Sequence, residues 1–222
     1  MTAEATIDLV TVGQPRSPIS EAYRSLRTSI QFLGLDRPIQ TILVTSPGPQ
    51  EGKSTTLANL AVTFAEAGRE VLAVDCDLRR PSLHRVFGLP NDQGLTALMR
   101  DEKALADVIL PTEIPHLRLL PSGPLPPNPS ELLGSQRMDR IIESVRPLAE
   151  IILFDSPPAI AVTDASVLGA KMDGVLLVVS AGKTKRDNAV RAKAMLQKGN
   201  ANVLGVVLNN VKFDGSLYQY YA

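Results

Sequence analysis

Between Thr41 and Leu208 the chain alternates short unbroken runs of β-branched and aliphatic residues with longer stretches whose apolar positions recur every three or four residues. Unbroken runs of this length mark strands buried on both faces, and the three-or-four spacing marks amphipathic helices. The runs predict strands over Thr41 to Thr45, Val71 to Asp75, Leu117 to Leu120, Ile151 to Asp155, Val175 to Ser180 and Val203 to Leu208. Helices are predicted near Lys53 to Gly68, Pro129 to Val145, Asp164 to Lys171 and Asp187 to Lys198. Such alternation requires crossover connections, so the expected fold is α/β, a mostly parallel central sheet with helices on both faces. Ligands in sheets of this kind bind at the carboxyl ends of the strands.

Ahead of the first strand, Ile19, Tyr23, Leu26, Ile30 and Leu33 form an apolar stripe that predicts a helix over residues 18–33. Residues 1–17 read as an irregular arm, residues 18–211 as the body of one domain, and residues 212–222 as a flexible tail. The segment PSGPLPPNP, Pro121 to Pro129, reads as a rigid loop, because proline lacks the backbone donor and restricts the residue before it.

Composition narrows the function classes. A chain of 222 residues with 44% hydrophobic and 21% charged positions suits one ordinary globular domain. Lys plus Arg and Asp plus Glu are both 23, so no global field draws the protein toward nucleic acid, and no nucleic-acid partner is expected. No apolar run reaches the length of a membrane span and Met1 to Asp8 is polar and acidic, so a cytosolic location is expected. The lone cysteine, Cys76, rules out an internal disulfide and reads as a small core residue at a strand end.

The most informative segment is TILVTSPGPQEGKSTTLAN, Thr41 to Asn59, a strand that enters a glycine-containing loop and leaves it as a helix. Unpaired N–H groups and the positive end of the helix dipole favour phosphate at such a place. Gly48, Pro49, Gln50, Glu51, Gly52, Lys53, Ser54 and Thr55 are the candidate nucleotide contacts. Lys53 would reach the β- and γ-phosphates, and the Ser54 hydroxyl would complete a Mg²⁺ shell. The match to G-x-x-x-x-G-K-[ST] is imperfect, since Pro47 holds the first glycine position and Gly48 comes one residue late.

Two further strands end in acids, Asp75 and Asp77 in EVLAVDCDLRRP and Asp155 in IILFDSPP. Carboxylates at strand ends beside a phosphate loop suit Mg²⁺, which prefers hard oxygen ligands. Ser54, Asp75 and Asp155 are the candidate metal residues, and Lys53, Asp75 and Asp77 the candidate catalytic ones. Asp77 is favoured as acceptor of a substrate hydroxyl proton, with Asp75 near the metal, although the two roles could exchange.

Taken together, SPGPQEGKST, VLAVDCDLRRP and IILFDSPP resemble the Walker A, A′ and B motifs of the bacterial tyrosine kinases of capsule and exopolysaccharide synthesis. The resemblance runs from EAYRSLRTSI through GLPNDQGLTALM and PSGPLPPNPSELL to LNN and the terminal tyrosines. Family loops often carry a proline where Pro49 stands, and the extra lysine of partitioning ATPases is replaced here by Gly48. The resemblance implies a P-loop fold like that of the partitioning ATPases, ATP and Mg²⁺ as cofactors, and an asparagine, Asn209, near the adenine. It implies that Glu21, Arg24 and Arg27, an E-x-x-R-x-x-R element, join subunits into a ring, and their spacing places them off the apolar stripe, exposed.

It also implies that Tyr218, Tyr220 and Tyr221 accept phosphate from the chain's own site. The implied partners are the cytoplasmic part of a membrane-spanning polysaccharide co-polymerase, which would recruit the protein to the inner face of the membrane, and a cognate tyrosine phosphatase. A non-kinase ATPase switch of the partitioning type and a non-enzymatic nucleotide-binding subunit are the competing function classes.

Overall fold

The computed structural model describes residues 9–35 and 38–212. Seven strands form one sheet: β1 (Thr41–Thr45), β2 (Val71–Asp75), β3 (Leu110–Pro111), β4 (Leu117–Leu120), β5 (Ile151–Asp155), β6 (Gly174–Ser180) and β7 (Val203–Asn209). Their spatial order is β3-β4-β2-β5-β1-β6-β7. Every pair is parallel except β3 with β4, so the sheet is the mostly parallel one that the sequence predicts. The helices are α1 (Val10–Gly13), α2 (Pro18–Leu33), α3 (Lys53–Glu66), α4 (Leu83–Val86), α5 (Leu95–Met99) and α6 (Leu105–Val108), followed by α7 (Pro129–Gly134), α8 (Gln136–Val145), α9 (Asp164–Gly169) and α10 (Arg186–Lys198).

Strand side chains alternate between two cores, because successive residues of a strand point to opposite faces. Leu43, Leu72, Ile152, Phe154 and Leu177 pack with helices α5 and α7 to α10. Ile42, Val44, Ala73, Leu153 and Val178 pack with α3, α4 and Ile30 of α2 on the opposite face. Burial on both faces accounts for the unbroken apolar runs in the sequence.

Three expectations change. Residues Val10–Gly13 are a helical turn rather than irregular arm, and Thr11 is fully buried, its backbone N–H and hydroxyl both donating to Asn59 Oδ1 at 3.1 and 2.8 Å. The helix expected over Pro129 to Val145 is two helices, since Ser135 is extended and its Oγ accepts the N–H of Met138 to open α8.

The third change concerns α2, whose bounds match the prediction but whose buried face is turned. Ile19 and Leu33 of the expected stripe are 44% and 51% exposed, whereas Ser20 is buried. Ser20 Oγ hydrogen-bonds the carbonyls of Gln14 and Val10, and Arg27 Nη1 donates to Thr63 O of α3 at 2.7 Å. Polar contacts to α1 and α3 therefore set the rotation of α2. Of the three, Glu21 alone is exposed: Arg24, half-buried, pairs with Glu21 at 3.0 Å and with Glu66 of α3 at 3.7 Å, and Arg27, also half-buried, is tied to α3.

Candidate active site

Strands β2, β5 and β1 lie side by side, and their carboxyl ends bring the loop and the acids together. Asp75 is in register with Asp155, and Asp155 with Val44, one residue before the loop segment begins. The loop leaves β1 at Thr45 and turns through Gln50 at φ 56° and Gly52 at φ 90°, after which α3 starts at Lys53. Glycine suits the second of these positions because a side chain strains a left-handed backbone. A Cβ there would also meet Asn209 Nδ2 at 2.0 Å.

Lys53 bends from the head of α3 into the acidic cluster. Its Nζ lies 3.0 Å from Asp77 Oδ2 and 3.3 Å from Asp155 Oδ2, and Ser54 Oγ donates to the same Asp155 oxygen. Burial opposes the ammonium charge, but Asp155 and Asp77 outweigh it, and Lys53 is held well above its ordinary value. Asp155 is raised, first by its burial and against the pull of Lys53.

Asp75 is fully buried, and its oxygens accept the N–H groups of Asp77, Ser82 and Leu83 at 3.2, 2.9 and 2.9 Å. Burial and then repulsion from Asp155 push its pKa up to about 7, against those backbone donors and Lys53. Asp77 differs. Its Oδ1 accepts the N–H groups of Arg79 and Arg80, and its Oδ2 faces Lys53. Cys76, between the two acids, is buried with its thiol pushed up by desolvation, which makes it inert core.

Asn209, expected near the adenine, stands beside the loop, and its Nδ2 donates to Glu51 O at 3.0 Å. Asn209 also lines a cavity of about 270 Å³, together with Tyr23, Leu26, Val207 and Val211 among others. The carbonyls of Pro49 and Gln50 both accept from Lys183. Tyr218, Tyr220 and Tyr221 lie outside the described residues, and Glu21, Arg24 and Arg27 belong to α2, apart from the acidic cluster.

Sequence reasoning missed two groups. Lys183 and Thr184 touch the phosphate loop from the turn after β6, where a Lys-Thr pair directly after a strand on this sheet edge is the only signal. Arg79 and Ser130 both bond the buried Asp164, at 2.9 and 2.5 Å, which ties the loop after β2 to the heads of α7 and α9.

Residues 42–221 match the family model of the CobQ/CobB/MinD/ParA nucleotide-binding domain. The chain is 41% identical over 215 residues to the tyrosine-protein kinase YwqD of Bacillus subtilis (strain 168), covering 96% of this chain and 91% of that one. It is 39% identical to the putative tyrosine-protein kinase CapB of Staphylococcus aureus, covering 94% and 92%. Among solved structures it superposes on the chimerical protein CapA2B2 with a TM-score of 0.89, 38% identity and coverage of 94% and 93%.

Proposed function

The chain belongs to the bacterial tyrosine kinases of the CobQ/CobB/MinD/ParA nucleotide-binding family, and we propose that it passes the γ-phosphoryl group of ATP to its own Tyr218, Tyr220 and Tyr221. It is an enzyme, a tyrosine-protein kinase of the class that serves capsule and exopolysaccharide synthesis, and the partition-type switch is set aside. The observation that carries the site assignment is Lys53, which opens α3 with its ammonium 3.0 Å from Asp77 and 3.3 Å from Asp155.

The nucleotide's phosphates would lie along residues 48–55, met by the backbone N–H groups at the head of α3 and by Lys53. The donor set fits a hard divalent cation. Ser54 Oγ and Asp155 touch, and the Lys53 ammonium offsets only part of the negative charge of the three buried acids Asp75, Asp77 and Asp155, which leaves charge for a cation. Ser54 and Asp155 would hold Mg²⁺, which when bound would neutralise charge on the transferring phosphoryl group, while the oxygens of Asp75, expected near the metal, are both taken by backbone N–H groups.

Asp77 is the base. Its Oδ1 is occupied by two backbone donors, and its Oδ2 becomes free for a phenol once Lys53 turns to the phosphates. The tyrosine oxygen bonds to the γ-phosphorus as the bond to the bridging oxygen breaks, its proton goes to Asp77, and ADP leaves. Asp75, with both oxygens held by backbone N–H groups, fixes the loop that carries Asp77.

Transfer runs between subunits of a ring joined through the α2 face. Three added phosphates, each about −1.5 to −2 charges at neutral pH, then crowd one another and loosen the ring. Among the described residues no helix is long and apolar enough to cross a membrane. Recruitment to the inner face of the membrane would come through the cytoplasmic part of a membrane-spanning partner, and reversal through a tyrosine phosphatase. Asn209 and the adjoining cavity are the place proposed for the adenine.

The test incubates the purified protein with γ-labelled ATP and Mg²⁺ and maps the label. Label on the tail tyrosines supports the reading, and ATP hydrolysis with unlabelled protein overturns it. Mixing a Lys53→Met chain with an active chain that ends at Gly215 separates the routes. Label on the inactive chain means transfer between subunits, and its absence while wild type labels itself means transfer within one.

A further inference from the structure

The turn that follows β6 grips the phosphate loop from outside, and the reaction above leaves that turn without a task. Lys183 Nζ donates to Pro49 O at 3.0 Å and to Gln50 O at 2.8 Å. Thr184 Oγ1 donates to Glu51 Oε1 at 2.7 Å while it accepts the N–H of Ser180 at 2.8 Å. The second oxygen of Glu51 accepts the N–H of Gly48 at 3.0 Å. We propose that Thr184 and Lys183 are positioning residues for ATP: they hold the phosphate loop open to the nucleotide's phosphates by fixing the Glu51 carboxylate and the two carbonyls before it.

Glu51 makes such a brace necessary. It stands two residues before Lys53, is only 5% exposed, and puts a carboxylate into a loop that receives a polyanion. An unfixed carboxylate there would repel phosphate and compete for the loop's N–H groups. With one oxygen on Thr184 and the other on the N–H of Gly48, it is held in one place, closes the loop on itself and takes a single loop N–H, that of Gly48.

Lys183 acts on the backbone. In a trans peptide the C=O and N–H point opposite ways. Drawing the carbonyls of Pro49 and Gln50 outward to one ammonium therefore turns the N–H groups of Gln50 and Glu51 to the side away from Lys183. Gln50 sits at φ 56°, a conformation that a residue with a side chain keeps only when its surroundings hold it there. The brace also carries the sheet edge with it, because Asn210 Nδ2 bonds Ser180 Oγ at 2.9 Å.

The inference rests on the reading that this loop binds nucleotide phosphates, and two ligands keep the two ideas apart. Titrating the full chain with Mg-ADP and with adenosine separates phosphate contacts from base contacts. Thr184→Val keeps the shape and loses the hydroxyl, so it is expected to weaken Mg-ADP and raise the KM for ATP about tenfold, with adenosine binding and kcat within about twofold of wild type. Thr184→Ser restores the hydroxyl and the affinity. Lys183→Met gives a smaller loss in the same direction, about threefold, and Lys183→Arg recovers it; because Lys183 is exposed, this pair serves even if Thr184→Val fails to fold.

Equal Mg-ADP affinity in folded Thr184→Val and in Lys183→Met overturns the brace and leaves the nucleotide reading standing. A Thr184→Ser chain as impaired as Thr184→Val, or a fall in kcat with KM unchanged, overturns it as well. Wild type that binds no Mg-ADP overturns both.

Discussion

Lys53 Nζ lies 3.0 Å from Asp77 Oδ2, so the cation proposed for the phosphates and the acid proposed for the tyrosine proton are direct partners. Neither can act while the pair is closed. If Lys53 turns to the phosphates of bound ATP, as proposed, the same movement frees Asp77 Oδ2 for the tyrosine hydroxyl.

Lys53→Met is expected to abolish tyrosine labelling, since it removes the charge facing the β- and γ-phosphates. It also leaves three buried acids without their ammonium, which should destabilise the nucleotide-free protein by about 3 kcal/mol at neutral pH and by less at pH 5, where carboxyls take up protons. Labelling assays with urea unfolding at both pH values check this. Retained labelling would remove Lys53 from the transfer, and an unchanged urea midpoint at neutral pH would mean the acids do not depend on it.

The raised Asp75 carboxyl predicts a pH dependence of opposite sign to that of an ordinary paired acid. Burial, then Asp155, lifts it from 3.8 to about 7. The folded state therefore binds the proton more tightly than the unfolded state, and this stability is present in full below about pH 4 and lost as pH rises to about 7. Relative to Asp75→Asn, which cannot titrate, the wild-type advantage should shrink from pH 5 to pH 7 by at most about 1.4 kcal/mol per unit and then level off. Urea midpoints of the two metal-free proteins across that range are the measurement. A gap that stays constant would mean Asp75 keeps its ordinary pKa.

Where the sequence was legible, burial on both faces was the reason. Val71–Asp75 and Ile151–Asp155 start and stop where their apolar runs do, and the acids that end them follow directly. Elements too short for a period were not legible: α4 and α6 have four residues each, and β3 has two, one of them Pro111. Ser135 broke a helix through a side-chain cap that apolar spacing ignores. The face of α2 was misjudged because Ser20 and Arg27, polar residues, do the docking. The Thr184 contact to Glu51 spans 133 positions and involves one hydroxyl, so only the fold reveals it.

Gly52→Ala is expected to lose nucleotide binding for two separable reasons. The backbone at φ 90° disfavours any side chain, and the new Cβ would stand 2.0 Å from Asn209 Nδ2. In an Asn209→Ala background the second is absent and the first remains, so Gly52→Ala, compared with its own parent, should cost less Mg-ADP affinity there than in wild type and keep a cost of about 1 kcal/mol in stability. Calorimetric titration and thermal unfolding read the two effects. No loss from Gly52→Ala in the Asn209→Ala background would show that only the collision mattered, and an equal loss in both backgrounds that only the backbone did.

The two arginines of α2 should behave differently in assembly, because they differ in what they must give up. Arg24 pairs with Glu21 and Glu66, exposed partners whose bridges are worth about 0–1 kcal/mol, so it can exchange them for carboxylates of a neighbouring subunit at little cost. Arg27 donates to the Thr63 carbonyl, and its Nε is buried with no partner among the described residues. A charged donor to a backbone carbonyl contributes roughly 1.5–3 kcal/mol, so Arg27 serves first to dock α2 on α3. Arg24→Ala is therefore expected to shift the assembly toward monomer with an unchanged denaturation midpoint. Arg27→Ala should lower that midpoint, and change the assembly only as far as α2 loosens. Light scattering after size exclusion, at one fixed protein concentration, with urea unfolding of the same samples, decides between them. The reverse pattern, a stable Arg27→Ala monomer beside an Arg24→Ala chain of unchanged mass, would move the subunit contact from Arg24 to Arg27.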